Sequence, residues 1–300
     1  MSKNTKQYFA VFGDVHGRIA LMYAASLLWQ KETGIQLTGI LQVGDMGAFP
    51  DPLNVDDATR QHAKVDPDEL GFSQFCAHSQ DAELFLKPAN SPPTYFVRGN
   101  HEDFDYLSQF KSPAHVDKYG KINFIPDGHW VHLASHTTIG AFGGIPPVIE
   151  TKRRGKKSKK TYKKSKLKSL NDPRLFTEEF ARTAFNKENK LDILLTHAGP
   201  KCASLSEGSL LLTELTERIK PKIHIFGHHH KVIPPCEGPA GSILIGLEHF
   251  KFDASKEKII KGSWGILVLD GCSAEFTFID SEAPFLSCIN YFDYRSFLTL

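Results

Sequence analysis

The sequence predicts an α/β fold with a mixed β-sheet system, and three observations carry that expectation. Short β-rich runs alternate with a helical stretch near the N-terminus. Later strands follow one another in a run without helical crossovers. Clusters of Gly, Asp, Asn and His stand where predicted strands end. At 300 residues, 41% hydrophobic and 23% charged, the chain has enough apolar material for one large domain or two small ones, which excludes wholesale disorder.

The first unit is strand-helix-strand: QYFAVFG (7–13), GRIALMYAASLLWQK (17–31) and TGILQVG (38–44). TYFVRG (94–99) and KINFIP (121–126) add strands, as do HTTIGAFGG (136–144), LDILLTH (191–197), KIHIFGH (222–228), GSILIG (241–246), WGILVLD (264–270) and AEFTFID (274–280). Helices are expected at 79–86, 102–110, 177–186 and 207–219. The late strands should form antiparallel pairs, making the sheet system mixed rather than purely parallel. Two segments break the rhythm and read as surface excursions: the Pro/Asp-rich stretch 50–70, and 151–168, TKRRGKKSKKTYKKSKLK. The main domain is taken as 1–280 with the basic insertion at 151–168. An aromatic-rich tail, 281–300, either packs back on the core or docks a partner.

The net charge of +2 hides an asymmetry. Residues 151–168 hold eleven Lys/Arg and no acid, whereas the remainder carries 25 bases against 34 acids. An acidic body would repel nucleic acid, so any polyanion contact falls to that one segment. Phosphate-backbone contact, a targeting address and plain solvation are the three readings of it. The five cysteines (76, 202, 236, 272, 288) are odd in number and lack a C-x-x-C pair, which argues against a disulfide framework or a thiolate zinc site and for a reducing compartment. No apolar run reaches the roughly 20 residues of a membrane span, and the N-terminus has no signal-like stretch. A cytoplasmic protein with no membrane partner is the expectation, or a nuclear one if the basic run is an address.

Five clusters carry the chemistry: GDVHG (13–17), GD (44–45), GNHE (99–102), TH (196–197) and GHHH (227–230). Crevices at the carboxyl ends of strands are where α/β sheets bind ligands, and Asp, Asn and His are metal ligands of borderline hardness. The clusters supply Asp14, His16, Asp45, Asn100, His197, His228 and His230. With one carboxylate bridging, these seven provide four protein contacts to each of two metals. The spacing of Asp14 with His16, and of His228 with His230, places each pair on one face if strand alternation continues, which turns His229 away. His62, His78, His115, His129, His132, His136, His224 and His249 are set aside as structural.

The order D-x-H, G-D, G-N-H-E, H, G-H-x-H resembles the calcineurin-like metallophosphoesterase superfamily over residues 13–230. The resemblance implies a sandwich of two mixed β-sheets flanked by helices, with a dinuclear metal centre at one edge. By the family's pattern Asp14, His16 and His230 hold one metal, Asn100, His197 and His228 the other, and Asp45 bridges. His101 corresponds to the family's catalytic histidine. The layout after GNHE (a glycine-bearing strand, a basic insertion, F-x-E-E-F, then DILLTHAGP) is similar to that of the RNA lariat debranching enzyme. That enzyme has cysteine where this chain has Asp14, a departure that favours an ordinary two-metal centre. The Asp-Arg-Gly that continues the second motif in protein Ser/Thr phosphatases is absent from GDMGAFPD.

The expected activity is hydrolysis of a phosphate ester by a metal-bridging hydroxide, with His101 protonating the departing oxygen. Four histidines among seven ligands favour Mn, Fe or Zn, with Ni a further option, over Mg. A phosphodiesterase acting on RNA or another nucleic acid through Lys152 to Lys168 is the first reading, a protein or nucleotide phosphomonoesterase the alternative, and a non-catalytic scaffold the third. Arg98, just before the GNH turn, could turn to phosphate and so bind substrate, or point to solvent or a structural carboxylate. Glu102 could orient His101 or favour the N-terminus of the next helix.

Overall fold

The structure, a computed structural model, describes residues 6–147, 172–185, 190–271 and 273–296. The basic segment 151–168 and Cys272 lie outside the described residues. β1 (Gln7–Phe12) leads into α1 (Ile19–Thr33) and β2 (Gly39–Gln42). Three short helices follow, α2 (Asp57–His62), α3 (Phe72–Phe75) and α4 (Gln80–Leu86), with a 3-10 turn at Pro67–Leu70 between the first two. Next come β3 (Thr94–Phe96), α5 (Phe104–Leu107), β4 (Ala114–His115), β5 (Ile122–Phe124), β6 (His129–His132) and β7 (Thr138–Phe142). The chain continues through α6 (Glu178–Thr183), β8 (Ile193–Thr196), α7 (Leu210–Ile219), β9 (Ile223–Phe226), β10 (Ile233–Glu237) and β11 (Ile243–Gly246), and β12 (Trp264–Asp270) and β13 (Ser273–Phe278) complete the strands.

These strands make two sheets, ordered β13-β12-β1-β2-β3-β5-β4 and β10-β11-β9-β8-β7-β6. Each has a parallel centre, β1-β2-β3-β5 in one and β11-β9-β8-β7 in the other. The antiparallel strands β12, β13, β4, β10 and β6 flank those centres. The expected mixed system with flanking helices is therefore present, with one correction. The second half is not a run of antiparallel pairs, because α7 carries the chain from β8 back to a parallel β9.

Strand alternation explains the layers. On β1, Phe9 and Val11 face the space between the sheets, where they meet Leu41, Ile193, Ile225 and Leu267. Ala10 and Phe12 face the other way, onto α1 and the aromatic cluster of Phe72, Phe75 and Trp264. Helix α1 is buried from Ile19 to Gln30, consistent with a segment apolar all round rather than on one stripe. On the far side α6 and α7 cover the second sheet through Ala181, Leu211 and Leu215. The described part of the tail lies against the first layer: Leu286, Ile289 and Tyr294 are buried there, and the Tyr294 hydroxyl donates to Asp68 at 2.8 Å. Cys76, Cys202, Cys236 and Cys288 are free thiols. Among the described residues no helix is long and apolar enough to cross a membrane.

Candidate metal centre

Parallel strands of one sheet end on a common edge, and the turns after β1, β2, β3, β8 and β9 bring the predicted residues together. The carbonyl of Asp45 accepts the amide hydrogens of Val15 and His16 (3.2 and 2.8 Å), which clamps the first turn to the second. The Asp45 carboxylate Oδ1 accepts the amides of Asn100 and His101 at 2.6 and 2.8 Å, tying in the third. Gly99 is required here, because a Cβ at that position would collide with the Asp45 backbone and carboxylate. Gly44 has φ +95° and lies against the His197 ring, so a side chain there would be excluded by both strain and space.

Ligand atoms of Asp14, His16 and Asp45 lie within 4.8 Å of one another. His230 Nε2 is 3.0 Å from Asp14 Oδ2, and His16 Nε2 is 3.6 Å from Asp45 Oδ2. On the other side His197 Nε2 stands 3.0 Å from Asn100 Oδ1 and 3.4 Å from Asp45 Oδ2. The His228 ring centroid is 4.9 Å from that of His197, and the His228 amide donates to Asp14. All seven residues therefore gather around Asp45. The pairing of Asp14 with His16 and of His228 with His230 does not come from strand alternation, as the sequence reasoning had it. The strands end at Phe12 and Phe226, and His16, Asp45, His228 and His230 all adopt left-handed backbone (φ +41°, +52°, +61° and +47°). Such conformations cost about 1–3 kcal/mol each and persist where the surroundings over-determine them. His229 does point elsewhere, accepting the Gly199 amide at 3.0 Å.

The donor set fits divalent cations. Asp14 and Asp45 are 1% and 2% exposed, and among the described residues their ion-pair partners are His16, His197 and His230 rather than Lys or Arg. Two bonds of about 2.1 Å at right angles put donor atoms about 3 Å apart, the spacing seen between these side chains. His197 gives its Nδ1 to the Val43 carbonyl at 3.0 Å, which leaves Nε2 directed at Asn100 and Asp45. Desolvation opposes charge on His197, yet Asp45 outweighs it and pushes the imidazole pKa up to about 9. Desolvation, reinforced by His197 and His229, pulls His228 down to about 3, which favours the neutral form that a metal ligand needs. Desolvation would raise the Asp45 acid, but His197, His16 and His101 hold it well below the usual carboxylate range.

Arg98, Glu102 and His249 have surroundings of their own. Arg98 spends its guanidinium on Asp127 (Nε to Oδ2, 2.7 Å) and on the Pro173 carbonyl (2.7 Å), so it braces the wall instead of reaching for substrate. Glu102 neither orients His101 nor serves the next helix, whose N-cap is Asp103. Its buried carboxylate accepts the amides of Met46, Ala48 and Gly99, locking the turns after β2 and β3 together. His249, set aside from sequence, packs its ring 4.6 Å from His16 and 5.3 Å from His230. The signal for it was present, since it lies three residues past the strand predicted at 241–246; it lacked only a flanking Gly or Asp.

The segment 50–70 is also more than a surface excursion. Its Asp56 Oδ2 pairs with His101 Nδ1 at 2.8 Å, while Asp66 and Glu69 hold the buried Arg18. A cleft of ≈ 760 Å³ opens between this segment and the strand ends, lined by Phe49, Asp56, Asn100, His101, Phe104 and Arg174.

Comparison with known proteins agrees with this geometry. A lariat debranching enzyme from Entamoeba histolytica is 23% identical over 274 residues, covering 84% of this chain and 72% of that protein. The solved structure of TT1561 of Thermus thermophilus superposes with a TM-score of 0.50 at 13% identity, covering 92% of this chain and all of its own. Another solved chain superposes at 0.53 with 11% identity, over 93% of this chain and all of its own. These two establish a shared fold. The sequence model described as Calcineurin-like phosphoesterase matches residues 8–232, which contain all five motifs, and the chain belongs to that family.

Proposed function

We propose that the protein is a metal-dependent phosphoric ester hydrolase that cleaves a phosphodiester of RNA or another nucleic acid. The observation that carries the reading is the convergence of Asp14, His16, Asp45, Asn100, His197, His228 and His230 around two buried carboxylates, beside the cleft that Asn100 and His101 line. Asp14, His16 and His230 would hold one divalent cation, Asn100, His197 and His228 a second, with Asp45 shared between them. The chemistry supplied by two such cations is a water nucleophile at neutral pH and neutralisation of charge on the phosphoryl oxygens. Mn, Fe, Zn and Ni suit four imidazoles better than Mg does.

The chain's own residues supply the rest. His101 has Nδ1 bound to Asp56, so Nε2 is the atom that can pass a proton to the departing oxygen. Desolvation works against a charged His101, but the hydrogen bond to Asp56 and the nearby Asp45 raise its pKa overall, which keeps the proton available. Phe104 in the cleft wall offers apolar surface to the organic part of the ester.

The choice of nucleic acid rests on the eleven cations of residues 151–168 and on the debranching enzyme among the relatives. That segment follows β7, the strand beside β8, whose end carries His197. The test is a rate panel on metal-loaded protein and on a variant with 152–168 replaced by a short Gly/Ser loop, using aryl mono- and diesters, phosphopeptides, and linear and branched RNA. The expected result is unchanged hydrolysis of the small aryl diester and loss of RNA cleavage in the variant. In the parent, log K for RNA binding should fall by about 0.7 per phosphate contact per log unit of salt. Equal RNA cleavage by parent and variant at low and high salt would move the phosphomonoesterase reading to first place.

A further inference from the structure

We propose that His249 is a further metal ligand, giving the Asp14/His16/His230 site a third imidazole; the inference rests on the metal-dependent reading above. His249 lies past residue 232, outside the stretch matched by the family. It belongs to the turn after β11, a parallel neighbour of β9 whose end opens on the same edge as the five motif-bearing turns. Backbone bonds fix that turn: the amides of Leu247, Glu248 and Phe250 donate to the carbonyls of Phe226, Gly262 and Asp14 at 3.0, 3.0 and 2.8 Å. The last of these sets His249 beside Asp14.

Ligand atoms of His16, His230 and His249 lie within 4.8 Å of one another. Two donors on one cation can be at most about 4.2 Å apart when each bond is about 2.1 Å, so closure needs side-chain shifts below about 1 Å. A purely structural role fits the ring poorly. His224, also buried, has Thr196 and Thr216 hydroxyls at its two nitrogens, 2.8 and 3.0 Å away. His249 is 6% exposed, and among the described residues its ring has one polar contact, Arg18 Nη1 at 3.4 Å from Nε2. Because arginine only donates, that contact makes Nε2 the unprotonated ring nitrogen, and its one lone pair becomes available to a cation when the contact is released. Arg18 keeps Asp66, Glu69 and the Val15 carbonyl if the contact is released.

With Asp45 shared, this cation would have three nitrogen and two carboxylate donors, which selects further against Mg. The test is competitive titration of metal-stripped parent, His249→Ala and His249→Gln with Mn²⁺ and with Zn²⁺, together with absorption spectra of the Co²⁺-loaded forms. The parent should bind two cations. Both variants should keep one site at parental affinity and lose at least about 10-fold at the other, with a changed Co²⁺ spectrum and recovery of His249→Ala by free imidazole. Parental affinity at both sites, or equal weakening of both, would overturn the assignment. A parent that binds fewer than two cations would instead overturn the two-metal reading itself.

Discussion

One wall of the cleft is built from turns at strand ends, and the other from the connection between β2 and β3. In the first wall each side chain sits within a few residues of a hydrogen-bonded strand, and Asp45 and Glu102 fasten neighbouring turns together through backbone amides. The second wall has no sheet. Side-chain charge holds it instead: Arg18 reaches Asp66 and Glu69, Asp56 meets His101, and Arg295 and Tyr294 from the tail meet Asp68. Sheets place chemical groups with precision, whereas a connecting segment pinned by ion pairs can adjust their charge without moving them. On the proposed reading the atoms that touch substrate or metal belong to the first wall, and Asp56, which pairs with His101, belongs to the second.

Substitutions that strike one wall at a time test that division. The larger effect is expected from His101→Ala, which removes the proposed proton donor from the strand-end wall. It should retain metal and lose about 10²–10⁴-fold in rate on esters with poor leaving groups, and less on an activated aryl ester, which needs less protonation. Equal losses across leaving groups, read from steady-state rates, would remove His101 from the role of acid.

A smaller effect is expected from Asp56→Asn in the second wall. A general acid works only while protonated, so activity falls as pH rises through its pKa. Asp56 raises the His101 pKa and so extends the active range upward. Without that carboxylate the alkaline limb of the pH–rate profile should move to lower pH, with the acidic limb and the metal content unchanged. A limb that stays in place would mean that Asp56 only packs against the histidine.

The same division marks what could be read from sequence. The strand-end wall was legible because its residues come in short clusters with glycine, each directly after an apolar β-rich run. Its mechanical details were not: left-handed backbone at His16 and His228 leaves no trace in residue spacing, and Glu102 binds amides 54 and 56 positions earlier. Residues 50–70 looked like an excursion because Pro and Asp mark turns, and α2 is only six residues long. Nothing local says that Asp56 reaches residue 101. The histidines set aside as structural divide in a similar way. His224 faces α7 from mid-strand and is satisfied by two threonines, while His249 lies beyond a strand end and meets two other histidines. Position relative to the end of the strand separated them, and that criterion was available in the sequence. β6 and β10 were missed because HWVH and IPPCE carry little apolar alternation, and both lie at sheet edges.

Catalysis that depends on cations gathered around Asp45 must vanish and return with the metal, and reconstitution reads this out. Parent and Asp45→Asn proteins, stripped of metal and checked by elemental analysis, are titrated with Mn²⁺ while aryl phosphate hydrolysis and bound metal are followed together. The stripped parent should show no turnover, and two bound equivalents should restore it in full. In Asp45→Asn both sites should weaken by more than about 100-fold, beyond the loss typical of groups that only support a ligand, with melting behaviour largely retained. Parental turnover in a verified metal-free protein, or in Asp45→Asn without bound metal, would contradict that dependence.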